Sequence, residues 1–429
     1  MIVLLLACAG TASLDIVEVQ LTVAEATPMV PVLTWEASEG AVEVVGPEAS
    51  WVVSLGAPRS GVPILGLKPA TRYELVPVGI TAATQVFETP PAPDDLSGVQ
   101  VELLGVSSLS DGGVMMAITT ELGSYVAVLD VEGDWVWWTP SDPGMTTASP
   151  RPLRDGSGIL FPQHERDRVE DLSIVTRLSW DGRARDDVRT ATGHHMATEL
   201  PDGRLAFLGH SVESHLLEGV QGEVLTDTVV VDDEVLFDFF DTGPPYVPCS
   251  HASTPIDKFG WQGVFDWTHA NSLVHDDDAG LFYVVARHLD ALLALDDTTG
   301  EVVWQLGGRD ATRAFAPDAT PFDHPHTSWV AASDAWLFDN GVHAERPSRL
   351  VHYDLSVDPV VERWSYEPPE GRTVTFLGDV QPAPDDHVLG AWTVPGDVTE
   401  HDADGTVVWR AQLGVGPVLG RIRYVELPR

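Results

Sequence analysis

A short unit recurs six times between residues 130 and 409, and this repeat constrains the fold more than any other feature of the chain. Each copy is an apolar strand that ends in Asp, a turn that usually contains Gly, and a return strand that usually carries Val or Trp. The copies centre on Asp130, Asp181, Asp232, Asp296, Asp354 and Asp402. A spacing of roughly 50 residues is typical of the blades of a β-propeller.

A second element precedes each copy and supplies the rest of a blade. It is a strand that leads into a turn such as Asp111-Gly112, Asp155-Gly156 or Asp202-Gly203, followed by an apolar strand. Two hairpins per unit make a four-stranded blade. We therefore predict an all-β, six-bladed propeller over residues 97–429, in which the closing run Arg421–Val425 adds an outer strand to the first blade.

The residues before the repeats predict a separate small β-sandwich. Strands are expected near Ile16–Val23, Val32–Trp35, Ala41–Val45, Trp51–Leu55, Tyr73–Val78 and Thr84–Phe87. The run Leu67–Tyr73 (LKPATRY) resembles the signature of fibronectin type III domains, in which the Tyr makes a corner hydrogen bond and the Leu and Trp35 fill the core. We expect an Ig-like or fibronectin type III-like sandwich over residues 14–90 and a stiff, Pro-rich linker over residues 91–96.

Charge and apolar content exclude two classes of protein. The chain has 65 Asp and Glu against 24 Lys and Arg, a formal net charge of −41. Nucleic-acid binders draw much of their affinity from basic side chains that neutralise phosphates, so we expect no nucleic-acid partner. At 44% hydrophobic residues, the chain is also too apolar for an acidic disordered protein and should be globular.

The two cysteines bear on export. Cys8 follows Leu4-Leu5-Leu6-Ala7, which is similar to the lipobox of bacterial lipoproteins. Residues 1–8 are therefore expected to be a lipoprotein signal segment, and the protein a periplasmic or outer-membrane lipoprotein anchored through Cys8. The alternative is an apolar N-terminus in which Cys8 has no role, since the run is short and lacks a positively charged start. Cys249 is then the only other thiol, so no disulfide framework is expected.

Three histidines fall at corresponding places in consecutive repeats. His195, His269 and His326 each open the first strand of a hairpin. Corresponding positions in successive blades are related by rotation about the propeller axis, so the three imidazoles should converge at one end of the central channel. His194 and His324 lie next to these positions, and a small register error would exchange them for His195 and His326.

Other polar residues also occupy corresponding positions in neighbouring repeats or lie beside one of the three histidines. Arg287 lies seven residues after Gly280, and His210 lies seven after Gly203, so the two should occupy the same place in neighbouring blades. Asn271 is two residues after His269, and side chains at i and i+2 share a face of a strand. We expect these three side chains to bind substrate.

These residues belong to motifs that resemble one known family. The run Asp266–Leu273 (DWTHANSL), followed by Val284–His288 (VVARH) and Thr299–Gly308 (TGEVVWQLGG), is similar to the central signature of the bacterial arylsulfate sulfotransferases. His194–Leu205, and His326 followed by Leu337–Gly341, match the flanking motifs. The resemblance covers essentially the whole chain after Leu96, and an N-terminal β-sandwich also occurs in that family.

The resemblance implies an activity and assigns roles. It implies transfer of a sulfuryl group from an aryl sulfate to a phenolic acceptor by a ping-pong mechanism, without a nucleotide sulfate donor. His326 corresponds to the transiently sulfated histidine, and His195, His269, Asn271 and Arg287 correspond to sulfate-binding and leaving-group residues. The implied partners are the small-molecule donor and acceptor, and neither a cofactor nor a metal is expected.

Two other functions remain open from the residues alone. Three inward imidazoles could hold zinc with an open fourth position, as in a metal-dependent hydrolase, although no carboxylate or Cys motif accompanies them. Alternatively, the chain is a non-enzymatic surface propeller that binds a partner or a glycan, because a fold does not guarantee a function. A quinone-dependent dehydrogenase also has Trp-rich propeller repeats, but such repeats usually number eight.

Overall fold

The computed structural model describes residues 19–427, apart from 36–39, 56–60, 80–81, 97, 166–172, 218, 259–260, 332, 369, 394–395 and 415–417. The expected signal segment and Cys8 lie outside the described residues. The described helices are short 3₁₀ turns at Asp94–Leu96, Ser108–Asp111, Phe239–Thr242, Ser250–Ala252 and Pro384–Asp386. The rest of the regular structure is strand, so the all-β prediction is confirmed. None of the described helices has the length and apolar character needed to cross a membrane.

Seven strands among the described residues up to position 88 form two antiparallel sheets. They are β1 (Val19–Val23), β2 (Pro31–Trp35), β3 (Gly40–Val45), β4 (Ser50–Leu55), β5 (Val62–Pro63), β6 (Arg72–Val78) and β7 (Gln85–Glu88). One sheet has the order β1-β2-β5 and the other the order β4-β3-β6-β7. Each expected strand has a counterpart among the described residues, residues 16–18 of the first lying outside them, and β5 is an addition that the sequence pattern did not indicate.

The core of this region contains the residues that its motif singled out. Trp35 and Leu67 are fully buried. The Tyr73 hydroxyl accepts a hydrogen bond from the backbone N–H of Lys68 at 2.8 Å, which is the corner hydrogen bond expected of this Tyr. The local prediction for Tyr73 is therefore correct, whereas the assignment to the fibronectin type III class stays a prediction.

Residues 100–258 add fourteen strands. They are β8 (Gln100–Leu103), β9 (Gly112–Thr119), β10 (Ser124–Leu129), β11 (Trp135–Pro140), β12 (Met145–Thr147), β13 (Arg151–Pro152), β14 (Gly158–Glu165), β15 (Ser173–Ser179), β16 (Arg185–Arg189), β17 (His194–Glu199), β18 (Leu205–Leu217), β19 (Val220–Val231), β20 (Glu234–Asp238) and β21 (Ile256–Lys258).

The remaining strands run to residue 426. They are β22 (Trp261–Asp266), β23 (Ala270–Asp276), β24 (Leu281–Ala286), β25 (Ala291–Asp296), β26 (Val302–Gly307), β27 (Thr327–Ala331), β28 (Asp334–Asp339), β29 (Arg349–Asp354), β30 (Val361–Tyr366), β31 (Asp379–Pro382), β32 (Val388–Trp392), β33 (Asp397–His401), β34 (Val407–Gln412) and β35 (Val418–Glu426).

The strands β8–β35 form six sheets in the described part of the chain. The first has the order β35-β9-β10-β11, and the second β12-β14-β15-β16 with β13 also on β14. The third is β17-β18-β19-β22-β21 with β20 also on β19, the fourth β23-β24-β25-β26, the fifth β27-β28-β29-β30, and the sixth β31-β32-β33-β34-β8. Except for the parallel pair β19 and β22, neighbouring strands within these sheets are antiparallel.

The six sheets contact one another in a closed ring. The strands β14, β17, β23, β27, β31 and β35 touch in that order, and the first sheet touches the second through contacts of β9 and β10 with β12. These strands carry the contacts between successive sheets, and all of them except β14 are edge strands, so they lie on the side of each sheet that faces the centre of the ring. Residues just before them are therefore positioned around one central opening.

Burial on both faces explains why the strand sequences are continuously apolar. In β24, Phe282 and Val284 pack into a cluster with residues of the third sheet. Tyr283 and Val285 point the other way, into a cluster with residues of the fifth sheet. Successive side chains of a strand face opposite sides, so a strand between two neighbouring sheets needs an apolar residue at nearly every position.

Each repeat consists of two β-hairpins, and its Asp lies at the turn between the third and fourth strands. Asp130, Asp296 and Asp402 each accept hydrogen bonds from backbone N–H groups two to four residues further on. Short carboxylates stabilise turns in this way. Trp137 and Trp409, on the return strands, are fully buried and pack in the core, whereas Trp304 is half-buried.

The position of the last strand, β35, in the first sheet differs from the one predicted from the sequence. The run Arg421–Val425 does pair with the first sheet, but it does so on β9, at the edge nearest the centre of the ring. The predicted outer position was therefore wrong. A 3₁₀ turn, rather than an inner strand, precedes Gly112, so the first sheet takes its inner strand from the end of the chain. At the other end, β8 pairs with β34 on the outside of the sixth sheet.

A cation joins the N-terminal sheets to the ring. Lys68 Nζ lies 3.1 Å from Asp130, 3.4 Å from Glu132 and 2.7 Å from Asp134. One hydrophobic cluster also includes residues of both regions, among them Trp35 and Val136. The turn of the first repeat therefore packs directly against the N-terminal region.

Candidate active site

Three histidines from different sheets come together beside the central opening. The ring centroid of His195 lies 6.0 Å from that of His269 and 6.4 Å from that of His326. His195 and His269 are half-buried, and His326 is 4% exposed. The repeat pattern predicts that these three histidines converge, and the structure brings their rings within reach of one small substrate.

His326 is oriented by two backbone contacts. It directly precedes β27, and its N–H donates to the Phe338 carbonyl at 2.9 Å. Its Nδ1 lies 3.3 Å from the Gly378 carbonyl oxygen, which can only accept, so Nδ1 carries the proton and Nε2 carries the lone pair. Burial, with smaller effects from the Arg421 and Arg287 charges, lowers the pKa of His326 well below its usual range. The ring is therefore a neutral imidazole with Nε2 available as a nucleophile.

His269 is paired with a carboxylate that the sequence reasoning did not assign. Its Nδ1–H donates to Asp266 Oδ2 at 2.6 Å, and Asp266 is 3% exposed. A buried carboxylate on Nδ1 fixes the ring orientation and stabilises the imidazolium form. Asp266 lies three residues before His269 at the start of the DWTHANSL motif, so the spacing was a signal that could have been used.

His195 and His269 share an unusual backbone conformation. Their φ angles are +49° and +51°, and His324, rather than His326, has the matching value of +52°. Positive φ is uncommon for residues other than Gly and tends to occur at functional sites. The backbone therefore makes His324 the counterpart of His195 and His269, although the ring that lies near them is that of His326.

His210 lies behind the trio instead of within it. Its ring stacks on His194 at 3.8 Å, and His194 Nδ1 is 2.7 Å from His195 Nδ1. His194 Nε2 also lies 3.1 Å from Asp227 Oδ1. His210 is thus separated from His195 by one imidazole, and its predicted contact with substrate stays a prediction.

Asn271 and Arg287 supply polar groups on the fourth sheet. Asn271 is fully buried, and neither its side-chain oxygen nor its nitrogen has a hydrogen-bond partner among the described residues. Arg287 follows β24 and is 6% exposed. Its Nη2 donates to the Thr375 carbonyl at 2.7 Å, while its Nε has no described partner. Burial lowers the pKa of Arg287 to about 10, so the guanidinium stays charged at neutral pH.

A second buried arginine was missed by the sequence reasoning. Arg421 lies on β35 and is 3% exposed, and both of its Nη atoms lack a partner among the described residues. Its nearest carboxylate, Asp379 Oδ1, is 4.0 Å away. The Arg421 charge also lowers the pKa of His326. Because the closing strand was expected on the outside, nothing in the repeat pattern placed this cation near the histidines.

Two buried guanidinium groups with free N–H donors, an unpartnered amide and a neutral imidazole form a site suited to a small anion. Comparison with known sequences connects this arrangement to a family. The sequence model of the arylsulfotransferase (ASST) family matches residues 100–372. The chain belongs to the arylsulfotransferase family. The matched segment contains the three histidines, Asn271 and Arg287, whereas Arg421 lies beyond it. Membership implies a sulfotransferase enzyme and suggests aryl sulfate transfer.

Solved structures with a similar fold are distant in sequence. A protein of unknown function from Bacteroides caccae is 14% identical, with 73% of this chain and 99% of that chain covered and a TM-score of 0.44. Virginiamycin B lyase from Staphylococcus aureus is 9% identical, with 72% and 87% covered and a TM-score of 0.36. The Cps50 (Swd1) β-propeller domain from Myceliophteria thermophila is 12% identical, with 78% and 89% covered and a TM-score of 0.36. No curated protein matches the sequence.

Proposed function

We propose that the protein transfers a sulfuryl group from an aryl sulfate ester to a phenolic acceptor through a sulfohistidine at His326. The observation that carries this proposal is the orientation of His326. Its Nδ1–H donates to Gly378, which leaves Nε2 as the nucleophilic nitrogen. We also propose that the ring of sheets is a six-bladed propeller that forms the catalytic domain over residues 97–429, preceded by a sandwich over residues 14–90.

In the first half-reaction, His326 Nε2 attacks the sulfur of the aryl sulfate. The new N–S bond forms as the S–O bond to the aryl group breaks, and the electron pair of that bond leaves with the phenolate oxygen. His269, whose protonated form is stabilised by Asp266, donates its Nε2 proton to that oxygen. The products are a free phenol, a neutral His269 and a sulfuryl group on His326.

The second half-reaction reverses these steps with another phenol. His269 Nε2 takes the proton of the incoming hydroxyl, and the phenolate oxygen attacks the sulfur. The N–S bond breaks, its electron pair returns to His326 Nε2, and the sulfated acceptor leaves. One site thus serves both halves, no nucleotide takes part, and His195 is placed to share the proton transfer.

The arginines and Asn271 hold the sulfonate oxygens. Arg287 Nε and both Arg421 Nη atoms are buried donors without described partners, and an unpaired buried donor costs free energy that a bound anion recovers. Hydrogen bonds from charged donors to an oxyanion are also the stronger kind. These contacts support binding of an anionic donor by a chain whose net charge is −41.

Incubation of the purified protein with an aryl sulfate and a phenol acceptor tests this proposal. We expect release of the donor phenol and an equal amount of sulfated acceptor. His326→Asn should abolish both, while His215→Asn, at a half-buried site on β18, should not. Release of inorganic sulfate without sulfated acceptor would instead favour a hydrolase, and no reaction with any aryl sulfate would favour a binding protein.

We also propose that the protein is exported and anchored through lipid on Cys8. The support is the Leu4–Cys8 sequence alone. Expression of the full chain in a bacterial host should place it in the membrane fraction, and Cys8→Ser should release it. Equal partition of the two forms would show that Cys8 carries no anchor.

A further inference from the structure

We infer that Cys249, His251, His324 and His343 bind a divalent transition-metal ion of the zinc class. This site goes beyond sulfuryl transfer and uses none of the residues placed in that reaction. It also differs from the zinc site that the sequence left open, which would have used His195, His269 and His326. Those three do not together form one of the groups of described residues whose possible donor atoms all lie within 4.8 Å of one another.

The four side chains come from three separate connections and converge on one point. Cys249 and His251 lie between β20 and β21, His324 lies just before β27, and His343 lies between β28 and β29. One sulfur and three ring nitrogens all lie within 4.8 Å of one another. The His324 ring centroid is 4.8 Å from that of His251 and 4.3 Å from that of His343. Residues almost a hundred positions apart therefore present donor atoms to a common centre.

His324 has two ring nitrogens that are available to bind a ligand. The side chain is fully buried, and neither ring nitrogen has a hydrogen-bond partner among the described residues. A buried polar atom without a partner costs about 1–3 kcal/mol. A metal ion coordinated by one ring nitrogen would remove that cost for the atom that binds it. No described protein group does so.

His343 is oriented as a metal ligand is. Its Nδ1–H donates to Asp290 Oδ2 at 3.1 Å, and its Nε2 has no hydrogen-bond partner in the described part of the chain. Metal-binding histidines almost always donate the other ring N–H to a carboxylate or carbonyl, which fixes the ring. Asp290 Oδ1 also accepts the backbone N–H of His324 at 2.6 Å. One carboxylate thus positions two of the four proposed ligands.

The donor set indicates which metal fits. Thiolate and imidazole are ligands that four-coordinate zinc takes in proteins, and ions that prefer oxygen ligands, such as Mg²⁺ and Ca²⁺, do not suit this set. Tetrahedral bonds of 2.0–2.3 Å put ligand atoms about 3.4–3.8 Å apart. Since the four atoms lie within 4.8 Å of one another, they need to approach by at most about 1.4 Å. Cys249 directly precedes a short 3₁₀ turn at the surface and His251 lies within it, so these two residues can supply that movement.

Two of the other three candidate groups among the described residues are occupied by internal hydrogen bonds, and the third, Asp290, Asp323 and His343, shares His343 with the proposed site. In the group of His194, His210 and Asp227, His194 Nε2 contacts the Gly209 carbonyl at 3.1 Å. In the group of Asp266, His269 and His288, the first two are bonded to each other. The Cys249 group stands out because its buried member, His324, has both ring nitrogens unpaired.

The proposed ion would connect a surface segment to the edge of the reaction site. His324 stacks on His288 at 5.2 Å, with an angle of 10° between the rings. His288 Nε2 in turn lies 3.3 Å from Arg287 Nη1. The ion would therefore hold residues 249–251 over the fourth and fifth sheets, one imidazole away from Arg287. It would take no part in the bond changes of sulfuryl transfer.

Cobalt titration of the full-length protein tests the site. The protein is first stripped with a chelator and dialysed, and Co²⁺ is then added, followed by Zn²⁺. We expect one Co²⁺ per chain, with the visible bands of a tetrahedral centre and a near-ultraviolet thiolate-to-cobalt band, all removed by one equivalent of Zn²⁺. Binding of Zn²⁺ should release the Cys249 thiol proton to solvent.

Variants at exposed or half-buried ligands keep the test independent of folding. Cys249→Ser should remove the thiolate band, and His251→Ala should weaken Co²⁺ binding at least tenfold, while the control His215→Ala should bind as the wild type does. Absence of Co²⁺ and Zn²⁺ binding at micromolar concentrations would overturn the proposal. So would a thiolate band that persists in Cys249→Ser, or unchanged affinity in His251→Ala. These readouts do not depend on sulfuryl transfer, so failure of one proposal is distinct from failure of the other.

Discussion

Replacing the partner of His269 tests the proton-transfer part of the mechanism. Asp266 accepts the Nδ1–H of His269 at 2.6 Å in a buried setting. Asp266→Asn keeps an acceptor there but removes its charge. A hydrogen bond to a charged group contributes about 1.5–3 kcal/mol and a neutral one about 0.5–1.5 kcal/mol. The variant should therefore lose about 1–2 kcal/mol of imidazolium stabilisation, which is about 5- to 30-fold in rate.

The appropriate assay is a single turnover without acceptor, in which release of the donor phenol reports the first half-reaction alone. Esters of weakly acidic phenols should show the full loss, because their leaving oxygen needs the proton. Esters of strongly acidic nitrophenols should be nearly unaffected. Asp297→Asn is the matched control, since Asp297 pairs with His275 at 2.9 Å away from the trio. An equal loss for every leaving group, or a loss no larger than the control's, would refute the role of His269 as the acid.

Three further predictions concern binding and stability. Arg421→Gln should lower kcat/KM for the donor by about 10- to 150-fold, the equivalent of one charged hydrogen bond, whereas the exposed Arg204→Gln should change it little; equal values would exclude Arg421 from the site. Donor kcat/KM should fall as salt is removed, because the field of the −41 chain extends about 30 Å at 0.01 M but only about 8 Å at physiological salt; a rise would contradict this. Burial lowers the pKa of His401 to about 4, so below pH 6.5 the unfolded chain binds the proton first and stability falls until about pH 4. Across that range the wild type should lose on the order of 3 kcal/mol of unfolding free energy relative to His401→Asn. Denaturant unfolding of both proteins at pH 7 and pH 4 measures this, and an equal difference between them at the two pH values would disprove it.

The His401 prediction follows from a chain of hydrogen bonds that needs the neutral ring. Trp392 Nε1 donates to Thr399 Oγ1 at 3.0 Å, and Thr399 Oγ1 lies 2.9 Å from His401 Nε2. His401 Nδ1 lies 3.3 Å from the Gly405 carbonyl, so it carries the proton. With Nδ1 as the donor, Nε2 accepts from the Thr399 hydroxyl, and every group is satisfied. Protonation of Nε2 removes that acceptor.

Local periodicity predicted the elements that depend on it. The Asp of each repeat was placed in a turn because a short carboxylate bonds to nearby backbone N–H groups, and Asp130, Asp296 and Asp402 do so. The approach of His195 and His269 followed from the rotational relation of successive units, whereas the third ring is that of His326 and not that of their backbone counterpart His324. Both inferences use interactions within one repeat or between neighbouring repeats, which the sequence records directly.

Features that depend on contacts between residues far apart in the sequence could not be predicted from the repeat pattern. The inner position of β35 depends on its pairing with a strand some 300 residues earlier, and Arg421 came to the site with it. The grouping of Cys249 with His324 and His343 depends on where three connections fold over the ring. Asp266 differs, because its three-residue separation from His269 was visible, but carboxylates are so common in this chain that the spacing alone did not distinguish it.

Trapping the covalent intermediate tests the central claim most directly. The protein is mixed with an aryl sulfate without acceptor, quenched at alkaline pH because the histidine N–S bond is acid-labile, digested and analysed by mass spectrometry. Fragmentation separates His326 from His324 in the same peptide. The account predicts one sulfuryl group per chain, on His326, that disappears when a phenol acceptor is added and does not form in His326→Asn. A burst of phenol release with no sulfuryl group on His326, or with the group on another residue, would contradict it.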